Sequence, residues 1–475
     1  MSEAQEKQAP AHLHVAYLGP EASFSHQAAL ALFPPPSSPD ESTTTSSSST
    51  DLTSSSPLVT LHPLPSFSSI FSSLQNSSQS PSTATTSPAT SNQIYDYAVI
   101  PIENSTNGSV VQVLDLLSQS GLVHQSQSQS PSSSPSTSEP LYPSLSVCAE
   151  YYLPVHHCLY IHSGNIDQEQ QSQLQPFDLS TVPDSIISQI SNLYTHPQVW
   201  GQCNKFLARY LPPPHVERID LGSTSAAAAL VSREGPKHAS GRNGGHQGNI
   251  SAAICSKLAG EKHGLTCLAE NIEDEVGLNT TRFLVLRNED LHQRLGRGVG
   301  SSSDAQISSD WKSMYHQQLI SKRWTSTTPT PSNLSSPAIN PAPSPPAPAP
   351  VRHKSLITFT IPHRKPGSLA DALAVFKRYG FNLTSIDTRP SRRRNWQYVF
   401  FVECEEAGPD AEGKALDGAV DATTSTLEET ASGPGANDSD HFPDTGDNLR
   451  RILYDLRLYT ESLKYVGRFV DQLQD

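Results

Sequence analysis

Apolar residues in the first 120 positions of the chain form short runs that alternate with segments of helical spacing. We predict strands at 13–18, 58–64 and 97–102, and helices at 25–32, 66–74 and 110–117. The run Tyr97-Ala98-Val99-Ile100-Pro101-Ile102 is almost continuously apolar, which is typical of a strand buried on both faces. Strands that alternate with helices indicate a mostly parallel sheet in an α/β domain.

A second α/β unit is predicted from residue 145 onward. Its strands are expected at 145–153, 155–161, 192–198 (with a turn) and 252–255, and its helices at 183–190, 199–210 and 226–231. The last helix is expected to begin at Ser223-Thr224-Ser225, since hydroxyl side chains favour helix N-caps. The chain then enters an apolar strand at Phe283 to Leu286, directly after Thr281 and Arg282. This part of the chain therefore predicts two α/β units.

The C-terminal part of the chain has a different order of predicted elements. Strand, helix, strand, strand, helix and strand are predicted at 356–361, 368–379, 382–388, 396–403, 449–458 and 463–469. This βαββαβ order is typical of a ferredoxin-like domain.

Composition separates these folded parts. Hydrophobic residues make up 35% of the 475-residue chain, and several polar tracts bury too little apolar surface to offset the entropy of ordering. We expect disordered insertions near 37–56, 76–92, 125–140, 232–248 and 405–445. A first domain is expected at 12–290, a largely disordered linker at 291–352, and a second domain at 353–473.

Charge and cysteine usage exclude several classes of function. The formal net charge of −14 argues against nucleic acid as a partner, and we interpret the basic residues Arg389 and Arg392–Arg394 as a solvated turn. Six cysteines without a CxxC spacing argue against a metal site or a disulfide framework. His156-His157-Cys158 is interpreted as part of a half-buried strand. No segment suits a membrane span or a targeting peptide, so we expect a cytoplasmic protein.

Three segments in order resemble the prephenate dehydratase family: residues 15–25 (VAYLGPEASFS), 97–105 (YAVIPIENS) and 278–286 (LNTTRFLVL). Residues 366–369 (PGSL) and 386–390 (IDTRP) resemble the ACT domain, an amino-acid-binding regulatory module. That family usually has Ala where Ser368 stands, and Glu-Ser where Asp387-Thr388 stand. The resemblance covers residues 13–287 and 355–473. It implies a two-lobed, periplasmic-binding-protein-like α/β catalytic domain and a ferredoxin-like ACT domain.

The resemblance also implies which residues form the sites. Thr281, Asn104, Thr195 and Gln202 match catalytic positions, and Glu103, Ser105, Ser223, Thr224, Ser225, Arg282 and Phe283 match substrate-binding positions. Thr281 is expected to hydrogen-bond the hydroxyl that leaves, with a water or Glu103 as the proton source. Two alternatives stay open: Arg282 either clamps a substrate carboxylate or forms a salt bridge beneath the site, and Glu103 either acts in the reaction or holds the Asn104 turn.

The implied reaction converts prephenate to phenylpyruvate, carbon dioxide and water, and it needs no cofactor, metal or nucleophile. L-Phenylalanine is the expected effector, bound by Gly367, Ser368, Leu369, Ala370, Asn382, Leu383, Asp387, Thr388, Arg389 and Pro390. We expect a homo-oligomer, a dimer or tetramer, formed through ACT domains. Arogenate dehydratase, a solute-binding protein and a non-catalytic amino-acid sensor are the alternatives. Neither a chorismate mutase segment nor a dinucleotide-binding glycine loop is recognisable.

Overall fold

The structure is a computed structural model that describes residues 12–35, 58–77, 93–120, 140–166, 184–213, 215–236, 250–296, 303–324, 351–406 and 447–473. The chain divides into two compact units. The first holds residues 1–120, 142–336 and 472–475, and the second holds residues 121–141 and 337–471. Apart from a few residues at their ends, the five expected insertions lie outside the described residues.

The first unit contains eleven labelled strands and ten labelled helices within its described residues. The strands are β1 (His12–Leu18), β2 (Leu58–Leu64), β3 (Tyr97–Asn104), β4 (Gly108–Ser109), β5 (Leu145–Pro154), β6 (Cys158–His162), β7 (Ile190–Thr195), β8 (Glu217–Asp220), β9 (Ile250–Cys255), β10 (Leu265–Ala269) and β11 (Thr280–Asn288). The helices are α1 (Phe24–Leu32), α2 (Phe67–Asn76), α3 (Val111–Ser118), α4 (Asp184–Ile187), α5 (Pro197–Gln202), α6 (Asn204–Tyr210), α7 (Thr224–Glu234), α8 (Lys257–Lys262), α9 (Glu289–Gly296) and α10 (Ser303–Ser321).

The first lobe is built on a sheet with the order β5-β11-β3-β1-β2. β1 is parallel to β2 and β3, whereas β11 is antiparallel to both β3 and β5. The parallel arrangement expected for the first three strands is confirmed, and the sheet is mixed because β11 re-enters it from the second lobe. β5 was expected to begin the second unit, but it pairs with β11 in the first sheet instead.

The second lobe is built on a sheet with the order β10-β6-β9-β7-β8. β7 is parallel to β8 and β9, and β6 is antiparallel to β9 and β10. Two expectations need correction here. The predicted strand at 155–161 begins only at Cys158, and the predicted helix at 199–210 is two short helices that meet at Cys203 (φ −120°, ψ 24°).

Two connections join the lobes. The chain crosses once at Val155–His157 and returns at residues 270–279. The two crossings are hydrogen-bonded to each other, since the Ile272 N–H donates to the His157 carbonyl at 3.0 Å and the Val155 N–H to the Asn279 carbonyl at 2.8 Å. The two segments that connect the lobes are therefore paired with each other by backbone hydrogen bonds.

Serine side chains begin several helices. Ser66 and Ser69 form a capping box at the start of α2. α1 is capped by Ser23, which accepts from the His26 N–H at 3.3 Å, and not by Ser25, which is buried inside the helix.

Helix α10 lies within the segment 291–352 that was expected to be a linker. Lys312 on this helix pairs with Asp96 (Nζ to Oδ1, 2.6 Å), and Tyr97 Oη lies 3.2 Å from His316 Nδ1. Leu319 joins the apolar core of the first lobe. This helix is thus part of the first unit, and its polar sequence gave no apolar stripe by which to predict it.

The second unit contains β12 (His353–Thr360), α11 (Ser368–Arg378), β13 (Phe381–Pro390), β14 (Tyr398–Glu406), α12 (Asp447–Leu456) and β15 (Ser462–Val470). Its strands are ordered β13-β14-β12-β15, and each neighbouring pair is antiparallel. Both helices contribute to the core of this unit, through Phe376 and Leu453 among others. The predicted βαββαβ order is confirmed.

No helix in the described ranges is both long enough and apolar enough to cross a membrane.

Candidate active site

The loops that follow β1 and β3 in the first lobe contact the second lobe. The Ser225 hydroxyl donates to the Glu21 carbonyl at 2.6 Å, and Gln202 Nε2 donates to Thr106 Oγ1 at 3.1 Å. Glu21 follows the carboxyl end of β1, and Thr106 follows that of β3. Ligands of open α/β sheets bind outside the carboxyl ends of the strands. The candidate site therefore lies between the lobes at this edge.

Asn104 and Thr281 are opposite each other in the β3–β11 pair. Asn104 Nδ2 donates to Thr281 Oγ1 at 3.0 Å, to Asn279 Oδ1 at 2.9 Å and to the Thr280 carbonyl at 3.2 Å. Its Oδ1 accepts from the Thr106 N–H and hydroxyl and from the Asn107 N–H. These bonds fix which end of the Asn104 amide faces Thr281.

The Thr281 hydroxyl accepts a hydrogen bond from Asn104, and its own proton has no acceptor among the described residues. The side chain is half-buried. A threonine hydroxyl has one proton to donate, so Thr281 can present that proton to a bound ligand.

A chain of hydrogen bonds runs from the second lobe to Thr281. His157 Nε2 lies 2.8 Å from Gln202 Oε1, Gln202 Nε2 donates to Thr106 Oγ1, and the Thr106 hydroxyl donates to Asn104 Oδ1 at 2.7 Å. Burial lowers the pKa of His157, so the ring is neutral, with Nε2 as donor and a buried Nδ1 that has no partner among the described residues. Every donor in this chain points towards Thr281.

The sequence did not identify His157 or Thr106 as site residues. His157 was assigned to a half-buried strand, whereas it lies in the first crossing between the lobes and is 1% exposed. Glu273, in the second crossing, accepts from the His157 N–H at 2.9 Å and lies 2.8 Å from His156 Nδ1. Only the pairing of the two crossings brings these residues together, and no local sequence pattern reports it.

Arg282 is buried in an ion pair. Its Nη2 lies 2.6 Å and its Nε 2.8 Å from Glu150 Oε2. Arg282 is 6% exposed and Glu150 0%. Of the two roles left open by the sequence, the salt bridge beneath the site is the arrangement that the structure contains.

The other candidates from the three motifs lie in different surroundings. Thr195 is completely buried, and its hydroxyl donates to the Ile254 carbonyl at 2.8 Å. Phe283 packs in the apolar core of the first lobe. The Ser105 hydroxyl donates to the Leu278 carbonyl at 2.6 Å and accepts from the Thr280 N–H at 2.9 Å, so it joins the two motifs. Glu103 is exposed near the end of β3.

Ser223-Thr224-Ser225 begins helix α7 as predicted. Ser223 is the N-cap and accepts from the Ala226 N–H at 3.0 Å. Ser225 is used in the contact with Glu21 described above. The Thr224 hydroxyl has no hydrogen-bond partner among the described residues, although the residue is only 6% exposed. This helix start can therefore offer one hydroxyl and backbone N–H groups to an anion.

The residues expected to bind an effector lie in the second unit. Gly367 is the N-cap of α11, with φ +82°, and the neighbouring Ser368 donates to the Lys365 carbonyl at 2.8 Å. Asn382 Nδ2 donates to Glu405 Oε1 at 3.2 Å. The remaining candidates belong either to the first turn of α11 (Leu369 and Ala370) or to β13 (Leu383, Asp387, Thr388, Arg389 and Pro390).

The described part of the chain holds no group of three or more His, Cys, Asp or Glu side chains that suits a metal ion. The side chains around Thr281 are instead hydroxyls and amides, with one neutral imidazole. Such a set can orient a substrate and donate a hydrogen bond to a leaving oxygen.

Comparisons with known proteins agree on one family. Residues 66–291 match the prephenate dehydratase family model, and residues 356–417 match the ACT domain model. A probable prephenate dehydratase of Saccharomyces cerevisiae is 27% identical over 403 residues, which cover 82% of this chain and 86% of the yeast protein.

A bifunctional chorismate mutase/prephenate dehydratase of Stutzerimonas stutzeri is 25% identical over 82% of this chain, and the match spans 65% of that longer protein. A crystal structure of a prephenate dehydratase from Arthrobacter aurescens in complex with L-Phe has a TM-score of 0.49 and 17% identity, over 97% of this chain and 90% of that one. That structural likeness is too distant to carry an argument. The two family models and the yeast relative agree: the chain is similar to prephenate dehydratases over residues 66–291 and to ACT domains over residues 356–417.

Proposed function

We propose that the protein catalyses the decarboxylative dehydration of prephenate to phenylpyruvate, a step of L-phenylalanine biosynthesis. The observation that carries this proposal is the Thr281 hydroxyl, which accepts a hydrogen bond from Asn104 at 3.0 Å and keeps its own proton for a ligand. It lies at the edge where the two lobes meet. The donor is therefore oriented before the substrate arrives, which is what electrostatic preorganisation requires.

The chemistry of prephenate suits a site of this kind. The substrate carries a carboxylate and a side chain on one ring carbon and a hydroxyl on the opposite one. Loss of carbon dioxide and of that hydroxyl makes the ring aromatic, so the enzyme needs no covalent intermediate. Its task is to stabilise the departing oxygen more in the transition state than in the ground state. Thr281 donates to that oxygen, and a water or the exposed Glu103 restores the proton.

The two carboxylates of prephenate need different partners in the site. The ring carboxylate becomes neutral carbon dioxide, so strong pairing with a cation would stabilise the ground state and slow the reaction. Arg282 is already paired with Glu150, which agrees with this requirement. We assign the side-chain carboxylate to the start of α7, where the Thr224 hydroxyl and the backbone N–H groups are available.

We also propose that L-phenylalanine binds to the ACT domain and inhibits the reaction. Gly367 lets α11 begin without a side chain over its first turn, so the carboxylate of an amino acid can approach the backbone N–H groups. Residues of β13 from Asn382 to Pro390 would complete the site. The proposal includes a homo-oligomer, a dimer or tetramer joined through ACT domains, which size-exclusion chromatography with light scattering would test.

Steady-state assays of the purified full-length chain test the proposed reaction. Phenylpyruvate formation from prephenate and phenylalanine formation from arogenate would be measured side by side. Faster turnover of prephenate supports the proposal. Faster turnover of arogenate would reassign the substrate, and no turnover of either by folded protein would favour a binding or sensing role.

A further inference from the structure

The loop between β1 and α1 of the first lobe is packed into the second lobe. Ala22 is 0% exposed and belongs to an apolar cluster whose other buried members are residues of the second lobe. Its carbonyl accepts from the Ser256 hydroxyl at 3.4 Å, and the Glu21 carbonyl accepts from the Ser225 hydroxyl at 2.6 Å. The Glu21 carboxylate also pairs with Lys262. This loop therefore holds the starts of α7 and α8 against the first lobe.

The conformation of Ala22 is unusual for a residue with a side chain. Its φ of +62° lies in the left-handed region, which a residue with a Cβ keeps only where its surroundings hold it there. The Ala22 N–H donates to His26 Nδ1 at 2.9 Å. His26 is the third residue of α1, and its own N–H donates to the N-cap Ser23 at 3.3 Å. The side chain of His26 thus ties the loop to the first turn of the helix.

The His26 ring can make this hydrogen bond only in its neutral form. The ring stacks on Tyr17, with 4.8 Å between centroids. Burial lowers the pKa of His26, so the ring is neutral at pH 7. Because Nδ1 accepts from Ala22, the ring proton lies on Nε2. A protonated Nδ1 would be a second donor facing the Ala22 N–H.

We propose that His26 is a positioning residue for substrate binding, which acts by holding Ala22 and the neighbouring Glu21 carbonyl against Ser225 at the start of α7. The proposal deepens the function proposed above, and it rests on that function for the role of Thr224. Ser225 follows Thr224, which is assigned to the side-chain carboxylate of prephenate. Without the acceptor on His26, the Ala22 N–H is left unpaired and the loop loses the bond that fixes its left-handed residue.

Two substitutions of His26 separate this role from packing. Asparagine Oδ1 and histidine Nδ1 are both bonded to Cγ, so His26→Asn keeps an acceptor for the Ala22 N–H. His26→Leu removes the acceptor, and both variants lose the ring that stacks on Tyr17. Ser69→Ala is the matched control, since Ser69 is the third residue of α2 and accepts the Ser66 N–H at 3.2 Å. The readouts are kcat and KM for prephenate and the thermal unfolding temperature.

We expect His26→Leu to raise KM about two- to tenfold, the range given by one neutral hydrogen bond. Its kcat should stay within about twofold of the wild type, because a change confined to KM marks a loss of uniform binding. His26→Asn should have a KM close to that of the wild type. Ser69→Ala should unfold at a lower temperature with an unchanged KM. Equal KM values in His26→Leu and His26→Asn would overturn the proposal.

A double-mutant cycle tests whether His26 acts through Ser225. Ser225→Ala removes the donor to the Glu21 carbonyl and should also raise KM. If both residues serve one contact, KM of the double variant His26→Leu/Ser225→Ala should be close to that of the more affected single variant. Single effects that multiply in the double variant would show that His26 acts independently of Ser225, against the proposal.

Hydrogen exchange distinguishes failure of this contact from failure of the proposed function. If the wild type does not convert prephenate, the proposed function fails, and exchange at residues 223–228 still tests the contact. These amides begin α7, and they should exchange faster in His26→Leu than in His26→Asn. Equal exchange in the two variants would contradict the positioning role whatever the substrate is.

Discussion

Asn104 Nδ2 lies 3.0 Å from Thr281 Oγ1, across a strand pair that places the two residues directly opposite each other. β3 runs outward from the core of the first lobe, and β11 returns to it from the second lobe. The hydrogen bond therefore joins the last residue of one strand to the beginning of the other. Because Asn104 is the donor, the Thr281 proton is not used in this hydrogen bond and can be donated to a ligand.

The direction of this hydrogen bond is testable by Asn104→Asp. The substitution keeps the size of the side chain but replaces the Nδ2 donor with an oxygen, next to the Thr280 carbonyl and Asn279 Oδ1. The new carboxylate would accept the Thr281 proton, so that proton is lost to the substrate. We expect kcat for prephenate to fall by about 10²-fold or more, since general-acid contributions are typically of this size. A kcat close to that of the wild type would show that the orientation of Thr281 is unimportant.

The contact between the lobes gives a second prediction. Gln202→Glu removes the donor to Thr106 and keeps an acceptor for His157. One neutral hydrogen bond contributes about 0.5–1.5 kcal/mol, so kcat/KM should fall by about two- to tenfold. Gln198→Glu, at an exposed position of the same short helix, serves as the control. A larger effect at Gln198 than at Gln202 would contradict the role of the hydrogen-bond chain.

Stability should depend on pH through two neighbouring histidines, His292 on helix α9 and His316 on helix α10, whose ring centroids lie 5.1 Å apart. Burial, with Arg287 nearby, lowers the pKa of His292 to about 4 and that of His316 to about 2, from an unfolded value of 6.5. The unfolded chain then binds more protons than the folded one as the pH falls below 6.5, so stability is full above this pH and decreases below it. The loss is about 1.4 kcal/mol per histidine for each pH unit.

Urea unfolding at pH 7 and pH 5 measures this loss. His316→Gln keeps a neutral polar side chain beside Tyr97 and removes one titrating group, so the difference between the two pH values should shrink. An unchanged pH dependence in His316→Gln would mean that His316 does not titrate on unfolding.

Two glycines at the ends of helix α11 provide a matched test of effector binding. Gly367 has φ +82° and Gly380 φ +71°, and a Cβ at either position would meet no atom within 4 Å. Alanine at each should therefore cost only the backbone strain of a left-handed conformation, about 1–2 kcal/mol. Thermal unfolding should show similar losses in Gly367→Ala and Gly380→Ala. Only Gly367→Ala should weaken phenylalanine binding in calorimetry, and equal weakening in both would remove Gly367 from the effector site.

Local elements of the fold were predictable from the sequence to within a few residues. β2 was predicted at its observed bounds, Leu58–Leu64, because a short apolar run between polar tracts is typical of a strand. The Ser66 cap and the βαββαβ order of the second unit are also local patterns. The partner of a strand is not local. β5 has the same apolar character whichever sheet it joins, so its pairing with β11 was missed.

The candidate site was predictable only in part for the same reason. The motifs around Asn104 and Thr281 are short, and the family resemblance located both. The chain from His157 through Gln202 and Thr106 depends on contacts between residues about 45 to 96 positions apart. Helix α10 has few apolar residues, and they do not form the apolar stripe that predicts an amphipathic helix. Neither feature has a periodicity from which the sequence could have predicted it.

Prephenate turnover by Thr281→Val is the most direct test of the account. Valine keeps the shape of threonine and removes the hydroxyl, and Thr280→Val, at a hydroxyl with no partner among the described residues, is the matched control. We predict that kcat falls by about 10²–10⁴-fold in Thr281→Val, with KM little changed and with Thr280→Val close to the wild type. Near-normal kcat in a folded Thr281→Val protein would contradict the assignment of Thr281 as the donor to the leaving hydroxyl.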